Sequence, residues 1–147
     1  MLLNSRFLGE LNCNDDQVVE FPTGMIGLSS YHQWALIEDP VDHRISWLQS
    51  VGSFEIALPL IRPKDEIEQY DVRVSPELLQ PLQLADSDRL GVYSVVEAYG
   101  LNQICTNLRA PVLINLDRHL GVQVVTNDEQ PMQLELIGFA VNFRKSA

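Results

Sequence analysis

Short apolar segments separated by turn residues run along most of the chain, and most of them alternate with the period of a β-strand. In YDVRVS the alternation is complete: Tyr70, Val72 and Val74 would face inward, and the charged residues between them outward. Similar segments are QVVEF, WALIE, RISWLQS, FEIALPLI, LGVYSVVEAY, APVLINL and GVQVVTN. Turn signals such as Asp39-Pro40 lie between them. The pattern predicts an all-β dominated fold, either an antiparallel β-barrel-like domain or a sandwich.

One short helix is predicted after YDVRVS. Ser75 is a good N-cap residue, because its hydroxyl can accept a hydrogen bond from an amide of the first turn. Pro76 suits the first helical position, and Pro81 limits the helix to a turn or two. The leucines of PELLQPL would give this helix one apolar edge, so we expect it to cover part of the β-structure.

Two strand segments contain irregularities. Pro59, inside FEIALPLI, has no amide hydrogen to donate, which predicts a sheet edge or a bulge there. In the C-terminal stretch, Leu134 and Leu136 share one parity, whereas the aromatic residues after Gly138 share the other. A bulge at Ile137–Gly138 would return both sets to one face of the strand.

The length of 147 residues fits one domain that spans residues 1–147, and no repeat, low-complexity segment or linker divides it. No apolar run approaches the ~20 residues that span a bilayer. The N-terminal MLLNSRFLGELN lacks the charged head and long apolar stretch of a signal peptide. We therefore expect a cytoplasmic protein.

The formal net charge is −10, from 20 acidic and 10 basic residues. Such a chain repels phosphate backbones and anionic membrane surfaces, so direct binding of nucleic acid or of a membrane is disfavoured. Basic proteins are the partners that an acidic surface attracts. The same charge also keeps a protein soluble, and composition alone leaves both explanations open.

The sequence contains no pattern typical of a catalytic or metal site. The three histidines are not spaced as metal ligands, and no Cys-x-x-Cys or Gly-x-Ser-x-Gly motif is present. Asp39, Asp42 and His43 lie together, but a solvated turn explains them better than a zinc site does. Cys13 and Cys105 are interpreted as small apolar side chains rather than a disulfide. The residues therefore give no support for an enzyme, which stays open at this point, and we expect no cofactor and no metal.

Several motifs, in order along the chain, resemble the FliW family of bacterial flagellar assembly factors. SRFLGELN is similar to the opening strand of the family, and Phe21, Pro22, Gly24 and Gly27 match a motif that follows it. WLQSV and YDVRVSPELLQPLQL resemble two further family segments. TNLRAPVLINLDRHLGVQVV resembles another, with matches at Asn107, Ala110, Pro111 and Asn115. Residues 130–147 differ from the usual ending of the family and are interpreted as an atypical C-terminal strand.

The resemblance implies an adaptor rather than an enzyme, with an antiparallel β-barrel-like fold. Members of the family bind flagellin in the cytoplasm, and once flagellin is exported they bind the translational repressor CsrA. Binding to CsrA relieves repression of flagellin mRNA. Since an RNA-binding repressor is basic, an acidic antagonist would be attracted to it and would repel RNA. We expect a monomer in solution with CsrA and flagellin as its partners.

The candidate partner-binding residues form three groups. Asn107, Ala110, Pro111 and Asn115 belong to the motif, and either partner contact or a structural role would explain the two asparagines. Glu38, Asp39 and Asp42 form one acidic cluster, and Asp65, Glu66 and Glu68 form a second. A solvated surface is the alternative for both clusters. Gly24 and Gly27 are interpreted as turn residues, and Trp47 as a core residue whose indole carries a polar N–H group.

Two other classes of function compete with the adaptor. A small-ligand-binding antiparallel β-barrel would need a closed apolar cavity with a few convergent polar groups. A hydrolase would need a cleft with a titratable pair at perturbed pKa, of which the sequence gives no sign. An exposed apolar groove without a closed cavity would favour the adaptor.

Overall fold

Eleven short strands, one α-helical turn and two 3-10 helices make up the regular structure in the part of the chain that the structure, a computed structural model, describes: residues 1–67, 69–98, 103–126 and 130–137. The strands are β1 (Leu2–Ser5), β2 (Gly9–Asn12), β3 (Val18–Glu20), β4 (Gln33–Glu38), β5 (Ile45–Ser50), β6 (Ala57–Ile61), β7 (Leu90–Ala98), β8 (Ile104–Thr106), β9 (Val112–Asn115), β10 (Leu120–Gln123) and β11 (Leu134–Glu135). The helix α1 spans Pro63–Glu66, and the 3-10 helices span Asp15–Gln17 and Pro76–Leu82.

Seven strands close into a barrel in the order β3, β4, β5, β6, β7, β9 and β10, with β10 returning to β3. Every neighbouring pair in this ring is antiparallel except the last, in which Leu120 of β10 lies beside Glu20 of β3 in parallel. The amide of Glu20 donates to the carbonyl of His119 at 2.9 Å and joins the two strands. The prediction of an all-β, antiparallel barrel-like fold is confirmed.

The interior of the barrel is filled by side chains from its strands and from the segment that joins β3 to β4. Trp34, Leu48, Leu60 and Tyr93 are contributed by four of the strands. The rest of the buried cluster is Val19, Phe21, Met25, Val112 and Ile114. Both faces of β5 are buried, because Leu48 points into the barrel whereas Ile45 and Trp47 pack in a second cluster outside it. Trp47 is thus a core residue, as predicted.

Three elements cover the outer face of the barrel. The β1–β2 hairpin packs Leu3 and Cys13 against Ala35 of β4, and the Phe7 ring stacks on Trp47 with centroids 5.7 Å apart. The 3-10 helix at Pro76–Leu82 buries Leu82 among the outward residues of β9 and β10. Strands β8 and β11 extend from the second half of β7. Phe7 and Leu8 of the β1–β2 turn pack in one cluster with Trp47, with Ile104 of β8 and with Leu136, which follows β11.

Strands β8 and β9 are two parts of one partner strand for β7, separated by a bulge. Thr106 pairs with Val96 and Val112 pairs with Tyr93, so the five residues 107–111 lie opposite only two residues of β7. The Thr106 hydroxyl lies 2.6 Å from the Ser94 hydroxyl and donates to the Val95 carbonyl at 2.8 Å. The bulge contains the Asn-Leu-Arg-Ala-Pro part of the family motif.

The prediction of a strand at YDVRVS is wrong, although its inward and outward positions are right. Tyr70 is buried, Val72 and Val74 are half-buried, and Asp71 is exposed, but no strand forms over residues 70–75. Side-chain packing and the Tyr70 hydroxyl, which donates to the Leu108 carbonyl at 3.1 Å, hold this segment instead of a strand partner. The alternation of apolar and polar residues therefore predicts which side chains of this segment are buried, although the segment does not pair as a strand.

The predicted helix at Ser75 is present, but as the 3-10 helix Pro76–Leu82. Ser75 has the extended backbone of an N-cap residue, yet its side chain makes no capping hydrogen bond, which corrects that part of the prediction. Pro59 pairs with Trp47 and lies beyond the last register pair between β6 and β7, so β6 is an edge at that point. The bulge predicted at Ile137–Gly138 includes Gly138, which lies outside the described residues.

Cys13 and Cys105 are both buried and unpaired, and burial raises the pKa of each thiol. Both environments are therefore those of small apolar side chains. None of the helices in the described ranges has the length and hydropathy needed to span a bilayer.

Candidate functional site

The Asn115 side chain lies fully inside the protein and uses its whole hydrogen-bonding capacity there. Its amide nitrogen donates to the Leu82 carbonyl at 2.9 Å and to Asp88 Oδ2 at 3.0 Å. Its oxygen accepts from the backbone amides of Asp117 and Arg118, both at 3.1 Å. Of the two roles that the sequence left open for Asn115, the structure shows the structural one: it joins β9, the following turn and the 3-10 helix.

The other three motif residues stabilise the bulge. Asn107 is half-buried, and its side-chain oxygen accepts from the Arg109 amide at 2.9 Å, which forms an Asx-type turn. Ala110 and Pro111 are buried, and the Ala110 carbonyl accepts from Gln123 Nε2 at 3.0 Å. Ala110 and Pro111 therefore present little side-chain surface to a partner, and a contact through Asn107 stays a prediction.

Asp39 organises the loop between β4 and β5. Its carboxylate accepts from the Trp47 indole at 2.8 Å and from the amides of Val41 and Asp42 at 3.0 and 2.9 Å. Burial alone would raise the pKa of Asp39, but the hydrogen bonds from Asp42, Trp47 and Val41 outweigh burial and hold the pKa below its usual value. The Trp47 indole thus has Asp39 as a hydrogen-bond partner, and this carboxylate is committed inside the protein.

Glu38 and Asp42 lie at the surface of the same loop, each next to a basic group. Glu38 is 3.2 Å from His43, and both side chains are well exposed. The guanidinium of Arg44 binds Asp42 at 2.7 Å, and this hydrogen bond is the main reason that the pKa of Asp42 is lowered. Part of the negative charge of the loop is therefore compensated locally.

The second acidic cluster lies beside the first. Asp65 and Glu66 are exposed on α1, whereas Glu68 lies outside the described residues. Ile45 pairs with Ile61, which places the β4–β5 loop next to the start of α1. The pKa of Arg44 is raised chiefly by its hydrogen bond to Asp42, and Glu66 adds to the effect from the neighbouring element.

We call the surface formed by Glu38, Asp42, Asp65 and Glu66 the acidic face. Its four carboxylates come from two segments that the sequence separates by more than twenty residues. Val41, which is 88% exposed, lies between Glu38 and Asp42 in the same loop. A group of exposed carboxylates attracts a basic protein and helps to fix its orientation.

An apolar depression that the sequence did not predict lies along the second 3-10 helix. It has a volume of ≈ 360 Å³ and is lined by Pro76, Leu79, Gln80, Gln83 and Leu84. We call it the leucine depression. Leu78 and Leu84 remain 43% and 38% exposed, and the only sequence signal was the excess of leucine in PELLQPLQL.

The interior of the barrel is packed with side chains, including Phe21, Trp34 and Tyr93, each 0% or 1% exposed. A small-ligand-binding barrel needs a cavity in this position. The leucine depression is open to solvent at the outer surface. The geometry therefore favours a surface that binds another macromolecule over a lumen that binds a small molecule.

Comparisons with known proteins agree with the arrangement. A family model described as FliW protein matches residues 2–136. The flagellar assembly factor FliW of Ruminiclostridium cellulolyticum is 31% identical over 132 residues, which cover 88% of this chain and 89% of the relative. The FliW of Natranaerobius thermophilus is 32% identical, with coverage of 85% and 84%.

A crystal structure of the flagellar assembly factor FliW superposes with a TM-score of 0.82. It is 23% identical in sequence, and the match covers 90% of this chain and 94% of the solved one. This likeness supports the barrel described above.

Proposed function

The chain belongs to the FliW family of flagellar assembly factors, and we propose that it binds flagellin in the cytoplasm and antagonises the translational repressor CsrA. Binding of CsrA relieves the repression of flagellin mRNA. We also propose that residues 1–147 act as one domain and as a monomer. The protein is then a regulatory binding protein rather than an enzyme.

The acidic face is the observation that supports this function best. A repressor that binds RNA must present basic residues, and opposite charges increase the rate of encounter and fix the relative orientation of two proteins. Glu38 and Glu66 are free to approach a basic partner, because neither carboxylate is buried. The net charge of −10 adds a long-range attraction that RNA does not share.

We assign the candidate residues different roles in this interaction. Glu38, Asp42, Asp65 and Glu66 would contact CsrA, whereas Asp39 would hold the loop in shape through Trp47. Ala110, Pro111 and Asn115 would support the fold from within the bulge and the β9 turn, and Asn107 is proposed as a partner contact. Glu68, which continues the acidic segment in sequence, is proposed as a further contact.

For flagellin we propose the leucine depression. Terminal segments of flagellin are amphipathic helices before assembly, and such helices insert apolar side chains into apolar grooves. The half-buried Leu79 and the exposed part of Leu84 provide the complementary apolar surface. Competition between the partners would then require coupling between two sites rather than one shared site.

Calorimetric titration with purified CsrA, at low and at high salt, tests the first part. We expect binding that weakens with salt, because exposed charges are screened. Replacing Asp65→Asn together with Glu66→Gln should weaken binding by roughly tenfold. The matched control, Glu10→Gln with Asp16→Asn, removes the same charge from exposed positions on other elements and should retain affinity.

Titration with flagellin tests the second part. Leu84→Gln should weaken flagellin binding several-fold, since an apolar contact in the lining of the depression is lost. Leu2→Gln changes an apolar residue that is 69% exposed on β1 and should have no effect. Equal losses in variant and control would contradict the assigned site, and absence of binding to either protein would contradict the function.

A further inference from the structure

The leucine depression is lined from two sides of a sharp turn. Leu79 and Gln80 belong to the second 3-10 helix, whereas Leu84 lies beyond the end of that helix. Between them Gln83 adopts the left-handed conformation, with φ +48° and ψ +45°, and its amide donates to the Gln80 carbonyl at 3.1 Å. The reversal at Gln83 ends the helix and brings Leu84 into the same lining as Leu79.

Both sides of the depression are held in place without a partner. The Leu82 side chain is fully buried against β9 and β10, and its carbonyl accepts from Asn115 Nδ2 at 2.9 Å. On the other side, the amide of Ala85, directly after Leu84, donates to Asp88 Oδ2 at 2.9 Å. A partner therefore meets a surface that is already formed, and little of the protein has to be ordered on binding.

An exposed carboxylate lies near each end of the segment that lines the depression. Residues three apart are eclipsed in a 3-10 helix, so Glu77 continues the row of side chains that contains Gln80 and Gln83. Asp86 follows Leu84 by two residues. Both carboxylates are exposed, and neither forms an ion pair within the described part of the chain.

Three arginines on neighbouring segments have acidic partners of their own. The pairs are Arg73 with Asp71 at 3.9 Å, Arg89 with Asp117 at 3.1 Å, and Arg118 with Asp88 at 3.2 Å. The charges of these arginines are therefore offset locally. Glu77 and Asp86 then make the potential beside the depression negative.

We propose that the leucine depression selects an amphipathic helix whose apolar stripe is bordered by lysine or arginine. The apolar side chains of such a helix contact Leu79 and Leu84, and its cations lie beside Glu77 and Asp86. Lysine and arginine suit the border of the stripe, because their methylene groups extend over apolar surface while the charge reaches an exposed carboxylate. A helix with acidic residues in these places is repelled.

This inference rests on the flagellin site proposed above and adds a rule for which amphipathic helices the site accepts. The apolar contact contributes affinity for any such helix, whereas Glu77 and Asp86 discriminate between helices of opposite charge. The acidic face attracts basic proteins without an apolar stripe, but the depression requires both features together. The flagellin segment that binds here is then one in which cations border the apolar stripe.

The test is an NMR titration of the whole protein with two capped helical peptides of about 18 residues. The peptides share one leucine stripe and differ only at the positions that border it, which are lysine in one peptide and glutamate in the other. We expect the lysine peptide to cause saturable shifts at the amides of Leu79, Gln80 and Leu84. It should bind roughly tenfold more tightly than the glutamate peptide, and high salt should reduce this preference.

Three variants separate the charged contact from the apolar one. Glu77→Gln with Asp86→Asn should reduce the preference for the lysine peptide to about twofold or less, because the discriminating carboxylates are removed. The matched control, Glu10→Gln with Asp16→Asn, removes the same charge from exposed positions elsewhere and should retain the preference. Leu84→Gln should weaken the binding of both peptides alike, because it removes apolar surface from the lining.

Equal affinity for the two peptides would overturn the proposal, and so would an unchanged preference after Glu77→Gln with Asp86→Asn. Shifts confined to the acidic face, or no saturable shift in the depression, would also overturn it. Flagellin binding that depends on Leu84, together with equal peptide affinities, would contradict only the selection by charge. The expected peptide preference in a protein that does not bind flagellin would support the selection and contradict the assignment of flagellin to this site.

Discussion

Asn115 occupies the last position of β9. Four hydrogen bonds join its side-chain amide to Leu82, to Asp88 and to the turn that follows the strand. Replacing Asn115 by alanine would leave the buried Leu82 carbonyl and the backbone amides of Asp117 and Arg118 without this partner. We expect Asn115→Ala to lower the free energy of unfolding by about 2 kcal/mol. Urea denaturation followed by tryptophan fluorescence measures this change.

Two further variants test whether the lost hydrogen bonds of Asn115 cause the fall in stability. Asn115→Asp has nearly the same shape, but it cannot donate to Leu82 and places a carboxylate beside Asp88. It should be at least as destabilising as alanine. Asn12→Ala, at an exposed position on β2, should change the free energy by less than about 0.5 kcal/mol. A stable Asn115→Ala protein that has lost partner binding would instead assign Asn115 to an interface.

At the scale of elements, the parallel contact between β10 and β3 closes the barrel with a single register pair. The Phe21 ring fills the space that a side chain at Gly121 would occupy, and a Cβ at Gly121 would lie 2.6 Å from Phe21 Cε1. Both residues are buried. We expect Gly121→Ala to destabilise the protein by roughly 1–3 kcal/mol through overpacking, as measured by thermal unfolding.

A second substitution, at Phe21, should restore part of the stability that Gly121→Ala removes. Phe21→Leu alone removes volume from the core and is destabilising. In the Gly121→Ala background it relieves the overpacking, so the double variant should be more stable than the sum of the two single changes predicts. Additive effects would mean that the two residues do not share this space. Phe21→Leu with Gly52→Ala, which is exposed, is the additive control.

The strands that alternate or are continuously apolar were predictable, because each is a local pattern that burial imposes. The bulge at residues 107–111 was not, because its shape depends on Tyr70 and Gln123, which reach it from distant segments. Nor was the proximity of Glu66 to Arg44, which depends on the register between β5 and β6. The local sequence pattern predicts the strands, whereas the arrangement of residues at the surface depends on strand register and long-range hydrogen bonds.

The same dependence on long-range hydrogen bonds explains why the roles of the motif residues could not be predicted from the sequence. Asn107 and Asn115 stood out in the sequence as polar groups in apolar strands, and both have partners inside the protein. Glu20, at the end of an ordinary apolar strand, did not stand out, yet none of the described residues donates to its buried Oε2 atom. Polarity in a sequence marks a place where hydrogen bonds are needed. It does not distinguish bonds within the chain from bonds to a partner.

At the scale of the whole molecule, folding lowers the pKa of four aspartates. The pKa of Asp39 is lowered by its hydrogen bonds despite burial, and that of Asp42 mainly by its bond from Arg44. The amide of Ala85 is the main cause at Asp88, and the amide of Arg89 is the main cause at Asp117. Each carboxyl is a stronger acid in the folded protein than in the unfolded chain.

The sign of the pH dependence follows from this difference. The unfolded chain takes up protons at a pH near 4, while the folded protein still resists protonation, so acid favours unfolding. The stabilisation is complete above the unfolded pKa of about 3.9 and is lost as the pH falls through the lower folded values. Above that range, acid also reduces the net charge of −10 and its self-repulsion, which stabilises the fold.

We therefore expect the melting temperature to rise or stay level from pH 7 to about pH 5, and to fall steeply below about pH 4. Added salt should flatten the first region, because it screens long-range repulsion, and should leave most of the second, because direct hydrogen bonds are screened less. Asp39→Asn removes one of the responsible carboxyls and should make the acid loss shallower. Asp16→Asn, at an exposed position, should retain the slope of the unmodified protein. Equal slopes in both variants would show that Asp39 does not take part in acid unfolding.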